Sequence, residues 1–186
     1  MLSLVNNRTT DKNTCHSYIH VYEKLVGGKR ESCVNILEIG VQAGGSIQLW
    51  KDYFTQGLVW GLDIKDSMNP IHDSLRTDPR VRLSLGSDAY TTEVVESLKG
   101  TVFDFIIDDG PHTLESMLFF VKNYSGLLAE DGCLIIEDIQ DTEWIKKIHD
   151  STPEELKKFC SWVDLRHERP CMDNILFILN KSCKTT

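Results

Sequence analysis

Residues 102–112 read VFDFIIDDGPH, a run of branched and aromatic residues that ends abruptly in polar ones. Five of the first six residues are apolar, which is typical of a short strand buried on both faces. A Gly-Pro pair breaks that strand and leaves Asp108, Asp109 and His112 near its carboxyl end. In open α/β sheets, ligands bind at the carboxyl ends of the strands. The stretch therefore predicts a central strand with an acidic ligand site at its end.

A second predicted strand, residues 133–136, also ends in two acids, Glu137 and Asp138. Parallel strands end at the same edge of a sheet, so these carboxylates are expected beside those of the first stretch. Mg²⁺ prefers oxygen ligands such as carboxylates, and an imidazole is a common base near neutral pH. Simpler interpretations stay open at this point. One of the first two acids can cap the following helix, the second pair can be solvated, and the histidine can be an ordinary loop residue.

Strands and helices alternate along the whole chain. The predicted strands are residues 34–39, 58–64, 81–85, 102–107, 133–136, 162–165 and 174–179. The predicted helices are residues 13–26, a helix from Ser46 onward, 91–98, 113–128 and 141–160, the last with a second segment opened by Pro153, and residues 65–78 are mostly loop. This alternation predicts one α/β domain over residues 1–186. Its sheet is Rossmann-like, doubly wound and seven-stranded, mostly parallel with an antiparallel C-terminal strand.

Composition limits the classes of function. The 186 residues carry a formal net charge of −8, whereas a general nucleic-acid-binding surface needs clustered lysine and arginine. No apolar run approaches the roughly 20 residues that span a bilayer, and the first residues lack the apolar region of a signal peptide. The six cysteines include no CxxC pair, so reduced, mostly buried thiols are expected. We therefore expect a cytoplasmic protein that binds neither nucleic acid nor membrane.

A glycine-rich turn follows the first predicted strand, with Glu38, Gly40 and Gly44 in the pattern E-x-G-x-x-x-G. Glycine lets the backbone approach a ligand closely, and an acid at the strand end can bind a positive α-amino group. Asp63 ends the next strand, where an acid typically binds the ribose hydroxyls of an adenosine-containing ligand. Asp88 lies just after the third strand. Any tight strand-to-helix turn also favours glycine, and an acid at a strand end can simply be a cap.

These motifs, in this order, resemble the class I S-adenosylmethionine-dependent methyltransferases. Within that superfamily the chain is most similar to the magnesium-dependent sugar O-methyltransferases, which include macrolide-sugar enzymes of the mycinamicin and macrocin type. Five segments carry the resemblance and together span most of the chain: TDKNTCHSYIHVYEKL (10–25), ILEIGVQAGGSIQLWKDYF (36–54), GLDI (61–64), FDFIIDDGPH (103–112) and LIIEDI (134–139). The first and fourth segments are far more specific than the glycine turn.

The resemblance implies S-adenosylmethionine and Mg²⁺, or another hard divalent cation, as cofactors. The implied cofactor-binding residues are Glu38, Gly40, Val41, Gln42, Gly44, Ser46, Asp63, Ile64, Ser87, Asp88 and Asp108. The implied metal ligands are Asp109, Glu137 and Asp138, and the implied catalytic pair is Asp109 with His112 as general base. Residues 1–30 would form a helical lid segment, in which Thr10, Asp11, Lys12, His16 and Tyr18 cover the cofactor and the acceptor.

Two departures from the family pattern bear on the acceptor. Pro111 stands where the family more often has serine, and the chain lacks the additional N-terminal domain of the larger macrolide enzymes. The latter bears on acceptor size and on oligomeric arrangement, and a homo-oligomer is compatible with the sequence.

The predicted function is methylation of a hydroxyl of a glycan, nucleotide sugar or glycoside, with vicinal hydroxyls on the metal. Three alternatives stay open: a catechol- or phenol-type metal-dependent O-methyltransferase, a non-methylating and hydroxylase-like member of the fold, and a binding module. The histidine of the DDGPH motif and the TDK motif favour the sugar type.

Overall fold

The computed structural model describes residues 1–32, 34–66 and 73–182, which form one seven-stranded sheet with flanking helices. The strands are β1 (Asn35–Ile39), β2 (Leu58–Asp63), β3 (Val81–Leu85), β4 (Phe103–Asp108), β5 (Leu128–Ile136), β6 (Cys160–Asp164) and β7 (Ile175–Asn180). Their order in the sheet is β3-β2-β1-β4-β5-β7-β6. All neighbouring pairs are parallel except those of β7, which is antiparallel to both β5 and β6. The predicted fold class is confirmed.

The helices connect these strands and cover the two faces of the sheet. They are α1 (Ile19–Val26), α2 (Gly45–Tyr53), α3 (Asp73–Arg76), α4 (Thr92–Ser97), α5 (Leu114–Tyr124) and α6 (Thr142–Ser151), with 3₁₀ turns at Gly27–Lys29, Ser125–Leu127 and Glu154–Phe159. Over the described residues, no helix combines the length and the apolar character needed to cross a bilayer.

Two apolar cores lie on opposite faces of the sheet because side chains alternate along each strand. On β4, Phe105 and Ile107 pack on the face covered by α1 and α2, whereas Ile106 packs on the face covered by α5. All three side chains are at most 1% exposed. This double burial is the reason that the strand is almost continuously apolar in sequence.

The described structure differs from the sequence prediction at several element boundaries. The first helix begins at Ile19 rather than at residue 13, because the preceding residues form turns in which the backbone N–H of Tyr18 donates to the carbonyl of Lys12. The predicted helix over 141–160 ends at Ser151, since Pro153 restricts the backbone before it and lacks an N–H. Pro153 opens a 3₁₀ turn, as the sequence indicates.

The cysteines correct one expectation from the sequence. Of the four within the described ranges, Cys133 is buried, Cys160 and Cys171 are partly buried and Cys15 is exposed, so the expectation of mostly buried thiols is wrong. The Sγ of Cys15 lies 2.7 Å from the Sγ of Cys171. Cys33 and Cys183 lie outside the described residues, as does the 67–72 portion of the predicted loop.

Phe105 lies at the centre of an aromatic cluster, with its ring centroid 5.4 Å from that of Trp50 and 6.0 Å from that of Tyr22. We expect Phe105→Ala to lower the free energy of unfolding by about 3–5 kcal/mol, because it leaves a cavity among these rings. Guanidinium denaturation measures the change. Val102→Ala removes a 56% exposed side chain beside the same strand and should stay within about 0.5 kcal/mol. Equal losses in the two variants would contradict the assigned packing.

Candidate active site

The sheet register places the acidic residues next to one another. Ile39 of β1 pairs with Asp108 of β4, which in turn pairs with Ile136 of β5. Asp109, Glu137 and Asp138 follow directly on these strand ends, at the carboxyl edge of the sheet. The topology therefore brings together two acidic motifs that lie more than twenty residues apart in sequence.

A cavity of about 670 Å³ opens at this edge of the sheet. The sequence-predicted residues that line it are Asp11, Gly40, Gln42, Asp63, Ile64, Asp88, Asp109, His112 and Asp138. Tyr90, Ser116 and Phe119, which the sequence did not single out, also line it. The other predicted residues do not line it: Thr10, Lys12, His16, Tyr18, Glu38, Val41, Gly44, Ser46, Ser87, Asp108 and Glu137.

The glycine turn after β1 is held in place by its two glycines and by Asp63. Gly40 and Gly44 have positive φ angles of 89° and 72°. A Cβ on Gly40 would lie 1.8 Å from the carbonyl oxygen of Asp109, so only glycine fits where the two strand ends meet. The Oδ2 atom of Asp63 accepts hydrogen bonds from the backbone N–H groups of Val41 (2.9 Å) and Gln42 (2.8 Å).

Backbone strain is concentrated at the same place. Among the described residues, three non-glycine residues have positive φ: Gln42 (45°), His112 (53°) and Asp138 (57°). All three line the cavity. Such conformations persist only where the surrounding structure enforces them, and they cluster at functional sites.

Glu38 lies beneath the cavity rather than on its wall. Its Oε2 atom accepts hydrogen bonds from the hydroxyl of Ser46 (2.7 Å) and from the indole N–H of Trp50 (3.1 Å). The side chain is completely buried, and this burial raises the pKa of Glu38 to about 7. Trp50 therefore packs in the apolar core and also makes a polar contact with Glu38.

The position of Lys12 departs most from the expectation drawn from the sequence. Its side chain is 1% exposed, and its Nζ donates to Glu137 Oε2 (2.6 Å) and Asp109 Oδ2 (2.7 Å) and lies 3.5 Å from Glu38 Oε1. Burial alone would lower the pKa of Lys12, but the charges of Asp109, Glu137 and Glu38 raise it well above its usual value. The ammonium therefore stays charged among the carboxylates. Its sequence context, TDKN, is that of an exposed loop and gives no signal of this.

Asp109 belongs to two groups of possible metal ligands. In the cavity, His112 Nε2 lies 3.8 Å from Asp109 Oδ1 and 3.6 Å from Asp138 Oδ2. In the buried part of the cluster, the other oxygen of Asp109 contacts Lys12, and carboxylate oxygens of Glu38 and Glu137 lie around the same ammonium group. Over the described residues, each of these two groups of three has ligand atoms within 4.8 Å of one another.

Tyrosine hydroxyls from the N-terminal segment fix the acids that end β5. Tyr18 donates to Asp138 Oδ1 at 2.7 Å, and Tyr22 donates to Glu137 Oε1. The ring of His16 stacks on that of Tyr18, with the centroids 4.8 Å apart. The resemblance places Tyr18 in the lid segment, whereas the structure uses its hydroxyl, like that of Tyr22, to hold an acid at the end of β5.

Asp108 lies on the other side of the strand end. It is 3% exposed, and its Oδ1 accepts a hydrogen bond from the hydroxyl of Tyr90. Burial raises the pKa of Asp108 to about 7. Neither Asp108 nor Asp109 caps the following helix, because the hydroxyl of Thr113 accepts the N–H of Ser116 in that role. The capping interpretation of the two acids is therefore wrong.

Curated proteins that are similar to this chain in sequence carry the names of O-methyltransferases. No family model matches it. An 8-demethyl-8-alpha-L-rhamnosyl tetracenomycin-C 2'-O-methyltransferase from Streptomyces olivaceus is 31% identical over 144 residues, which cover 73% of this chain and 36% of that protein. A mycinamicin VI 2''-O-methyltransferase from Micromonospora griseorubida is 30% identical over 138 residues, which cover 69% of this chain and 33% of that protein. The chain thus spans about a third of the length of the curated relatives that it matches.

The fold also has a counterpart among solved structures. The MycE methyltransferase of the mycinamycin biosynthetic pathway, in complex with Mg and SAH, superposes with a TM-score of 0.70 at 20% identity. The match covers 90% of this chain and 50% of that chain. The predicted class I methyltransferase fold and the predicted resemblance to macrolide-sugar O-methyltransferases are both confirmed.

Proposed function

We propose that this chain, which has the class I methyltransferase fold and is related in sequence to sugar O-methyltransferases, transfers a methyl group from S-adenosylmethionine to a sugar hydroxyl. The proposed acceptor is a small molecule or glycan that carries the sugar. One observation carries the proposal. A single cavity joins the glycine turn and Asp63 on one side to Asp109, Asp138 and His112 on the other.

The cofactor side of the cavity has the features of a nucleoside site. Asp63 ends β2 beside the turn, Ile64 offers an apolar side chain that is 67% exposed, and Asp88 follows β3. Asp63 and Asp88 have oxygens that can accept hydrogen bonds from hydroxyls. Glu38 is engaged by Ser46, Trp50 and Lys12, so its proposed part is to support the turn from below.

The residues present fit a hard divalent cation. Asp109 and Asp138 offer carboxylate oxygens to the cavity, and Mg²⁺ is commonly held by one or two carboxylates with the remaining positions left to water or substrate. Glu137, the third ligand that the resemblance implies, has both of its oxygens engaged in this structure, one by Lys12 and the other by Tyr22. When bound, the cation supplies a Lewis acid that stabilises negative charge on an acceptor oxygen.

His112 is the proposed general base. Its side chain lines the cavity and is 29% exposed, and its Nε2 is 3.6 Å or more from both neighbouring carboxylates, beyond hydrogen-bond distance. Nε2 is therefore available to accept the proton of an acceptor hydroxyl. The positive φ at His112 turns this residue back over Asp109, three residues earlier. Asp11, from the N-terminal segment, borders the same space and is a proposed acceptor contact.

A thermal melt with S-adenosylmethionine or its demethylated product tests the proposal directly. A ligand at about 100 times its dissociation constant adds roughly 2.7 kcal/mol, which is about 5–10 °C for a chain of this size. We expect such a shift, together with a further rise on addition of Mg²⁺. No shift with either form of the cofactor would contradict the proposed activity. Turnover on a diphenol but not on glycosides would assign the catechol-type alternative instead.

A further inference from the structure

We propose that Lys12 is a built-in cation that fills the buried half of the acidic cluster, so that the site accepts a single divalent cation on the cavity side of Asp109. This inference rests on the proposed metal site and names a positioning residue for it. It also assigns Glu137 to Lys12 as its ion-pair partner.

The first support is the environment of the ammonium group. Three carboxylates surround Nζ of Lys12, at 2.6 Å (Glu137), 2.7 Å (Asp109) and 3.5 Å (Glu38). The side chains of Glu38 and Glu137 are at most 2% exposed, so water does not compensate their charge. Buried carboxylates need a cation or protons beside them, and here the chain itself supplies the cation.

The second support is the way in which Asp109 divides the cluster. Its Oδ2 faces Lys12, and its Oδ1 faces the cavity near His112. The two groups of possible metal ligands share Asp109 and no other residue. A divalent cation on the cavity side can therefore bind while Lys12 keeps its place, whereas one on the buried side has to displace it.

The third support is that the backbone around Lys12 is fixed. The carbonyl of Lys12 accepts a hydrogen bond from the N–H of Tyr18 at 3.1 Å, and the N–H of Ser17 donates to Asn174 Oδ1 at 3.2 Å. An ammonium tethered in this way acts at a high effective concentration, against which a free cation must compete. Lys12 thus holds the carboxylate of Asp109 in one orientation.

Counting bound Mn²⁺ ions tests the inference, with free Mn²⁺ followed by electron paramagnetic resonance in the absence of cofactor. We expect the wild-type protein to bind one ion. Lys12→Ala leaves the negative charge of the carboxylates uncompensated and opens space for a hydrated cation, so this variant should bind two ions. Lys12→Met fills the space with an uncharged side chain and should bind one. Lys146→Ala removes an 81% exposed lysine with the same change in net charge, and it should also bind one.

A melt in the presence of a chelator provides a second readout that needs no metal. Without Lys12 the buried carboxylates lose their cation, so both Lys12 variants should melt roughly 10 °C below the wild-type protein. Mn²⁺ should restore most of this loss in Lys12→Ala and little of it in Lys12→Met.

The outcomes separate the two proposals. One ion in both wild-type and Lys12→Ala protein would overturn the role of Lys12 and leave the metal site standing. Two ions in the wild-type protein would also overturn it. No ion in the wild-type protein would contradict the metal site and the inference together.

Discussion

Asp109→Asn is expected to lower metal-dependent methyl transfer by about a thousandfold while S-adenosylmethionine still binds. Asp109 is the one acid that belongs to both ligand groups, and it offers an oxygen to the cavity. Asparagine keeps the shape and one oxygen that can accept the hydrogen bond from Lys12, but it loses the charge that a divalent cation needs. The loss of several kcal/mol of stabilisation of an acceptor oxyanion corresponds to a decrease in rate of about this size.

The loss of activity is measured as the rate at saturating Mg²⁺. Retained cofactor binding is measured separately, by calorimetry with the demethylated cofactor. The proposed nucleoside contacts at Asp63 and the glycine turn lie outside the substitution, so cofactor affinity should be unchanged. Glu130→Gln removes an exposed acid elsewhere on β5 and is the matched control for charge. A near-normal rate in Asp109→Asn would remove Asp109 from the proposed reaction.

His112→Asn is expected to lower the turnover number by on the order of a hundredfold or more, the usual effect of losing a general base. Asparagine is chosen because it tolerates the positive φ of 53° at this position better than alanine does. His112→Ala should show the same loss of rate with an added loss of stability from the strained backbone. Binding of Mn²⁺ should persist in both variants, since the carboxylates of Asp109 and Asp138 remain.

The pH profile of the residual activity distinguishes a base from a merely structural residue. The wild-type rate should fall at low pH, and this acidic limb of the profile should disappear in His112→Asn. His167→Ala, at a histidine that is 74% exposed, is the control and should keep the full rate and its profile. An unchanged acidic limb in His112→Asn would transfer the role of base to another group.

The sequence was sufficient to predict the central architecture. The strand 102–107 could be predicted because both of its faces are buried, which makes its sequence apolar almost throughout. The role of Gly40 could be predicted because a tight turn between a strand and a helix requires glycine. In the structure, the backbone of Asp109 occupies the space that a side chain at position 40 would need. The antiparallel C-terminal strand that the sequence predicts is β7, which is antiparallel to both β5 and β6.

Element boundaries that depend on distant contacts could not be predicted from the sequence. The predicted first helix has apolar residues at helical spacing, but residues 12–15 form turns and the N–H of Ser17 donates to Asn174 near the other end of the chain. The strand β5 begins at Leu128, which pairs with Phe103, and a register shift separates this pair from the next one, Phe105 with Cys133. The local sequence pattern does not reveal this pairing. The contact between Cys15 and Cys171, which lie 156 residues apart in sequence, likewise depends on the tertiary structure.

By itself, then, the sequence determined which acidic residues follow the ends of the strands, since strand periodicity and turn residues are local properties. Only the tertiary structure decided which of those acids pair with Lys12 and which face the cavity. It placed Lys12, from a polar stretch that shows no sign of burial, among Glu38, Asp109 and Glu137, and it left Asp138 and His112 facing the cavity. The physical reason is that buried charges must be paired, and the partner of a buried carboxylate is set by the packing of distant segments rather than by neighbours in sequence.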